Sequence, residues 1–178
     1  MQDKLSKIRL LALDVDGVLT DGTINIGDNG EFFKGFNAKD GLGISCALRS
    51  GLNVAIITGR RSKIIHKRAA ELGITLLCEG VKDKYSELVR LAHELCLTKD
   101  EIAYMGDDLN DLPAFKGAGI TLAPQDAADE VSSAANIVVP KNGGRGAVRS
   151  AIEMILKAQN KWEVIVASYL ESGQGDKQ

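Results

Sequence analysis

Apolar positions in this chain come in short blocks separated by polar or turn-forming residues, and the blocks predict the elements. The run at 8–13 is aliphatic on both faces and stops at Asp14, as a central parallel strand does when helices cover both sides of its sheet. Similar runs recur at 54–57 before Thr58-Gly59, at 75–78 before Glu79-Gly80, at 102–105 before Gly106-Asp107 and at 137–139 before Pro140. Helical patterns lie between them. Residues 62–72 are closed by Gly73, and residues 83–95 carry Tyr85, Leu88, Leu91, Ala92 and Leu95 on one stripe. Residues 98–101 have capping-box spacing and predict a short helical turn. Strands alternating with helices imply a parallel sheet.

One stretch breaks this rhythm. Residues 22–37 read as Thr-Ile-Asn-Ile, a Gly27-Asp-Asn-Gly30 turn, then Glu-Phe-Phe-Lys-Gly-Phe, which predicts a β-hairpin. Phe32, Phe33 and Phe36 are three of the four phenylalanines in the chain, and in a strand Phe32 and Phe33 point to opposite faces. Cover for both faces comes either from packing against the body or from a subunit interface. The expectation is an α/β chain with a Rossmann-like parallel sheet, helices on both faces and a projecting β-hairpin. The 178 residues suit a single domain, and the polar segment at about 171–178 reads as a flexible tail.

Composition narrows the partners. Acidic and basic residues number 24 and 22, so nothing suggests nucleic acid or an anionic membrane, although a local cluster of Lys and Arg still suits one small anion. Cys46, Cys78 and Cys96 are widely spaced and lack metal-ligand spacing, which reads as buried, reduced thiols. The apolar run before Asp14 is too short for a signal peptide or membrane span, and the expected compartment is the cytoplasm.

Four segments place reactive groups where a parallel sheet gathers them, at the carboxyl ends of its strands. Asp14-Val-Asp16-Gly17 sets two carboxylates after a buried strand. Such a tetrapeptide alone is a common turn. At a strand end, however, two partly dehydrated carboxylates repel, and a hard cation such as Mg²⁺ relieves them. Thr58-Gly59-Arg60-Arg61 puts a hydroxyl and two guanidinium groups before a helix N-terminus, a place that suits phosphate, with Arg60 the favoured binder. Lys84 opens the next helix, where the dipole favours acids, so an anion is expected nearby; Lys82 is the second candidate. Gly106-Asp107-Asp108-x-x-Asp111 concentrates three carboxylates, of which Asp107 suits a cation shared with Asp14 and Asp111 the orientation of neighbouring donors. His66 and His93 read as structural. The glycine-rich 143–146 segment fits either a turn or an anion site.

Asp14-x-Asp16-Gly-x-x-Thr20, Thr58-Gly59, Lys84 and Gly106-Asp107-Asp108-x-x-Asp111, in that order, resemble the haloacid dehalogenase-like superfamily. The hairpin in place of a cap domain and Phe36-Asn-x-x-Asp40-Gly41-x-Gly43-Ile44 look like its 3-deoxy-D-manno-octulosonate 8-phosphate phosphatases. Arg60 after Thr58-Gly59 favours the eight-carbon sugar over nine-carbon relatives, which tend to carry glutamate there. The resemblance implies an Mg²⁺-dependent phosphatase acting on a small phosphorylated sugar acid in lipopolysaccharide precursor synthesis, assembled as a homotetramer. It implies Asp14 as nucleophile and Asp16 as proton carrier. Asp14, Asp107 and the Asp16 carbonyl hold the metal, with Asp108 and Asp111 behind them, while Thr58 and Lys84 meet the phosphoryl oxygens. Arg60, with Arg68 nearby, meets the sugar carboxylate. A receiver-type signalling domain fits poorly, because it accepts phosphate on a later strand. A silent interaction subunit is disfavoured by the presence of both Asp14 and Asp16.

Overall fold

The computed structural model describes residues 1–172, and the predicted tail lies outside them from residue 173 onward. A first turn of helix, α1 (Gln2–Leu5), leads into β1 (Leu10–Leu13). The hairpin β2 (Asn25–Gly27) and β3 (Gly30–Phe33) follows, then α2 (Ala38–Arg49), β4 (Asn53–Thr58), α3 (Lys63–Leu72), β5 (Leu76–Glu79) and α4 (Lys84–Glu94). The remainder runs β6 (Ile102–Met105), α5 (Leu112–Phe115), β7 (Ile120–Ala123), α6 (Asp129–Ala134), β8 (Ile137–Val138), α7 (Ala147–Ala158) and α8 (Trp162–Ser172).

Six strands form one parallel sheet in the order β5-β4-β1-β6-β7-β8. The chain grows outward from β1 through β4 and β5, then returns to the other side of β1 with β6. The topological switch therefore falls at the carboxyl end of β1, where crossovers diverge and leave a crevice. Register sharpens the convergence: Leu13 pairs with Ile56 on one side and Met105 on the other, so Asp14, Thr58 and Asp107 emerge at nearly one level.

Alternating strand residues build two cores. Leu11, Leu13, Val54, Ile56, Ala103 and Met105 face α2, α3 and α7, whereas Leu10, Ala12, Ile57, Ile102 and Tyr104 face α4, α5 and α6. Each fully buried Leu or Ile stabilises the fold by about 1.5–3 kcal/mol. Ser62 caps α3 by accepting from Ile65 N–H, and Gly73 ends it at φ +76°, a left-handed conformation that suits glycine. On α4, Leu88 and Leu91 are buried as the stripe requires, but Tyr85 is half exposed.

Several expectations need correction. Helix α8 continues through Ser172, so the expected tail of about 171–178 lies almost wholly outside the described residues. Cys46 and Cys78 are buried, but Cys96, in the left-handed turn after α4, is exposed. The predicted hairpin is present, and Phe36 packs against the core. Phe32 and Phe33, in contrast, remain 74% and 50% exposed, so the body does not cover them. No helix among the described residues is long and apolar enough to cross a membrane.

Candidate active site

The loop after β1 is wound so that the N–H groups of Val18, Leu19 and Thr20 all donate to the Val15 carbonyl. Gly17, at φ +87°, lets Asp107 close over it: a Cβ there would stand 1.9 Å from Asp107 Oδ2. Behind this loop lies the 143–146 segment. A Cβ on Gly143 would come within 1.7 Å of the Gly17 carbonyl oxygen, and Gly144 N–H donates to the Val18 carbonyl at 2.9 Å. The segment forms a turn whose backbone packs directly against the aspartate loop.

Asp14, Asp16, Thr58, Gly59, Arg60, Asp107 and Asp108 line one cleft of about 260 Å³, with Gly22, Ile24 and Asn110 completing the wall. Lys84 reaches Asp14, one of the lining residues, from the first turn of α4. Its ammonium lies 2.9 Å from Asp14 Oδ2 and 2.6 Å from Asp111 Oδ1, and its side chain is only 3% exposed. Burial works against this ammonium, but Asp14 and Asp111 outweigh it and hold its pKa above the ordinary value. Lys82 is exposed, which leaves Lys84 as the lysine placed at Asp14.

Asp111 is fully buried and accepts on both oxygens. Lys84 and the Tyr104 O–H, the latter at 2.7 Å, donate to Oδ1; the N–H groups of Asp107 and Asp108 donate to Oδ2 at 2.9 and 3.3 Å. Asp14, Asp107 and Asp111 each offer an oxygen within 4.8 Å of the others. Both Asp111 oxygens are thus taken up by protein donors, Lys84 and Tyr104 on one and the Asp107 and Asp108 amides on the other. Asp107 Oδ1, in contrast, is buried and accepts no hydrogen bond from the described residues. Burial, then the charges of Asp111, Asp14 and Asp108, push the Asp107 carboxyl up to about 7. Asp14 is raised to about 6, by burial first and Asp111 next. An all-oxygen set with an unsatisfied buried carboxylate fits a hard divalent cation.

The remaining positions divide. Thr58 is buried at the end of β4, and its hydroxyl accepts from Arg60 N–H at 3.3 Å. Asp108 is exposed and caps the short turn that follows it, so it shapes the rim more than the floor. Arg60 Nε lies 3.4 Å from Asp16 Oδ2. Arg68 is not beside it: the guanidinium packs over the Phe36 ring and pairs with Glu71, lining a separate pocket. A Cβ on Gly41 would stand 2.3 Å from Arg68 Nη2, so the guanidinium would have to shift if this position carried a side chain. His66 pairs with Glu79, and His93 is exposed near the end of α4; neither lines the cleft.

One residue of the site escaped the sequence reading. Lys34, just beyond β3, reaches back to Asp16 Oδ1 at 2.5 Å and to Glu31 Oε1 at 3.0 Å. Its signal was a lone lysine in an aromatic hairpin, three residues after a glutamate, a spacing that also occurs on any solvated strand.

A model of haloacid dehalogenase-like hydrolases matches residues 77–152, which include Lys84 and the Asp107 to Asp111 cluster. The 3-deoxy-D-manno-octulosonate 8-phosphate phosphatase KdsC of Escherichia coli K12 is 47% identical over 158 residues, covering 89% of this chain and 84% of the relative. The chain belongs to this phosphatase family. It is accordingly a phosphoric monoester hydrolase. A cobalt-bound phosphatase of the family from Haemophilus influenzae has a TM-score of 0.91 and 40% identity, covering 94% of this chain and 99% of that one. The Moraxella catarrhalis phosphatase, solved with a magnesium ion, a phosphate ion and KDO, has a TM-score of 0.91 at 40% identity and covers 94% and 97%.

Proposed function

We propose that this chain hydrolyses 3-deoxy-D-manno-octulosonate 8-phosphate to the free sugar acid and phosphate through an aspartyl-phosphate on Asp14. The observation that carries the reading is the position of Asp14 at the floor of the cleft, with the Lys84 ammonium on Oδ2 and Asp16, Thr58 and Asp107 around it. The carboxylates of Asp14 and Asp107 and the backbone carbonyl of Asp16 would hold Mg²⁺. When bound, that cation neutralises charge between an anionic nucleophile and an anionic phosphoryl group.

Asp14 attacks phosphorus while Asp16 protonates the departing sugar oxygen; Asp16 then takes a proton from the water that cleaves the aspartyl-phosphate. Lys84 and the Thr58 hydroxyl stabilise the phosphoryl oxygens, in keeping with a transfer whose catalysis is mostly positioning and charge stabilisation. Asp111 keeps Lys84 and the Asp107 and Asp108 amides in place. Arg60, at the mouth of the cleft, takes the sugar carboxylate.

The assembly we infer is a homotetramer joined through the hairpin, where Ile26, Phe32 and Phe33 are largely exposed. We place the activity in the cytoplasm, in lipopolysaccharide precursor synthesis, on the strength of the family. The test is phosphate release from the eight-carbon substrate, its nine-carbon analogue and simple phosphate esters, with Mg²⁺ or with chelator. Metal-dependent preference for the eight-carbon substrate is expected. Preference for the nine-carbon substrate would reassign the sugar and keep the chemistry, and no release from any ester would overturn the reading.

A further inference from the structure

We propose that Lys34, carried by the hairpin, is the positioning residue for Asp16. This rests on the reading of Asp16 as the proton carrier. All of β3 is exposed, yet the Lys34 side chain that follows it is only 2% exposed. A buried ammonium is costly unless it is paired, and this one is paired twice. It donates to Asp16 Oδ1 and to Glu31 Oε1, while Glu31 Oε2 accepts from the Ser62 hydroxyl. Ser62 is the N-cap of α3, two residues after Arg60. The hairpin is thus tied at once to the loop after β1 and to the loop after β4, across the mouth of the cleft.

The two oxygens of Asp16 are consequently unlike. Oδ1 is held by the buried Lys34 ammonium, whereas Oδ2 faces the 58%-exposed Arg60 at 3.4 Å. With Oδ1 taken up by the buried ammonium, Oδ2 is the oxygen left for a ligand in the cleft that Asp16 lines. By fixing Oδ1, Lys34 sets the plane of the carboxylate and aims Oδ2 at the leaving oxygen of an ester on Asp14. The proton moves between Asp16 and the sugar oxygen in the first step, and between water and Asp16 in the second. Lys34 gives up no proton in either step. The hairpin thereby acts as part of the acid–base apparatus in addition to exposing an aromatic surface.

The experiment measures kcat/KM with saturating Mg²⁺ for aryl phosphates of rising leaving-group pKa, which carry no sugar. Wild type, Asp16→Asn, Lys34→Met, Lys34→Arg and Glu31→Gln are compared, each checked by thermal unfolding. A misdirected acid matters most for a poor leaving group. Lys34→Met should therefore lose about tenfold to a hundredfold on the poorest leaving group and little on p-nitrophenyl phosphate. Asp16→Asn should show the same steepening, Lys34→Arg should reduce it, and Glu31→Gln should show a weaker form that still reads out if Lys34→Met does not fold. A steep Asp16→Asn beside Lys34→Met and Glu31→Gln of wild-type slope overturns the proposal, as does a loss uniform across the series. A wild-type slope for Asp16→Asn overturns the assignment of Asp16 itself.

Discussion

Gly143 and Gly17 meet backbone to backbone, so closely that a Cβ on Gly143 would stand 1.7 Å from the Gly17 carbonyl oxygen. Gly17 in turn lies under Asp107, so three separated segments stack at the cleft floor. Gly143→Ala should cost about 1–3 kcal/mol through overpacking. Displacing the aspartate loop should also lower kcat by about a hundredfold, with a smaller change in KM. Urea unfolding and steady-state turnover read the two effects; an alanine variant with both values intact would show that the loop is not held from behind.

Lys84 is the cation placed between Asp14 and Asp111, both deeply buried. Removing its charge leaves two carboxylates uncompensated, which for a buried pair costs about 3–5 kcal/mol. Lys84→Met should therefore unfold at lower temperature in chelator and turn over at least about a hundredfold more slowly. Mg²⁺ should recover part of the lost stability, because a second cation relieves the same carboxylates. Thermal unfolding with and without Mg²⁺ checks this, and equal shifts in wild type and variant would count against a shared electrostatic site.

Asp107, raised to about 7, is protonated in the metal-free fold at pH values where its unfolded counterpart, near 3.8, is ionised. Between those values the folded state binds more protons, so this group lowers stability as pH rises from about 4 to 7. Glu31 and Glu87, both shifted downward from 4.5, act in the opposite direction but only at the lower edge of this window and below it, whereas Asp14, raised to about 6, acts in the same direction as Asp107. The informative quantity is therefore the difference from Asp107→Asn. In chelator, wild type should lose stability relative to that variant as pH rises through this window, and Mg²⁺ should abolish the relative loss. Parallel pH profiles for the two proteins in chelator would contradict this assignment.

Legibility from sequence followed the physics of each segment. Strand ends that carry polar groups announced themselves, which is why β1, β4, β5, β6 and β8 were readable, and with them the polar cleft residues Asp14, Asp16, Thr58, Arg60, Asp107 and Asp108 but not Gly22 or Ile24. Strand β7 was not, because Ile120-Thr-Leu-Ala ends without a reactive marker. Helix α2 was hidden by Gly41 and Gly43, poor helix formers whose missing side chains make room for Arg68 and Arg149. The resemblance set Arg68 near Arg60, whereas α3 turns it toward Phe36. The Lys34 to Asp16 contact was invisible because it depends on how the hairpin folds back, which no local pattern encodes.

The hairpin leaves Phe32 and Phe33 exposed at 74% and 50%, with their rings edge to face at 5.8 Å. Large aromatic surface left in water on a short two-stranded element favours burial against another copy of the chain. Replacing both with serine removes that drive and touches neither buried core. Sedimentation velocity should show the wild type as a tetramer and the double variant shifted to smaller species. Activity per chain should fall only as far as assembly steadies the hairpin and, through it, Lys34 on Asp16. A double variant that remains tetrameric would place the interface elsewhere, and a monomeric wild type would remove the assembly altogether.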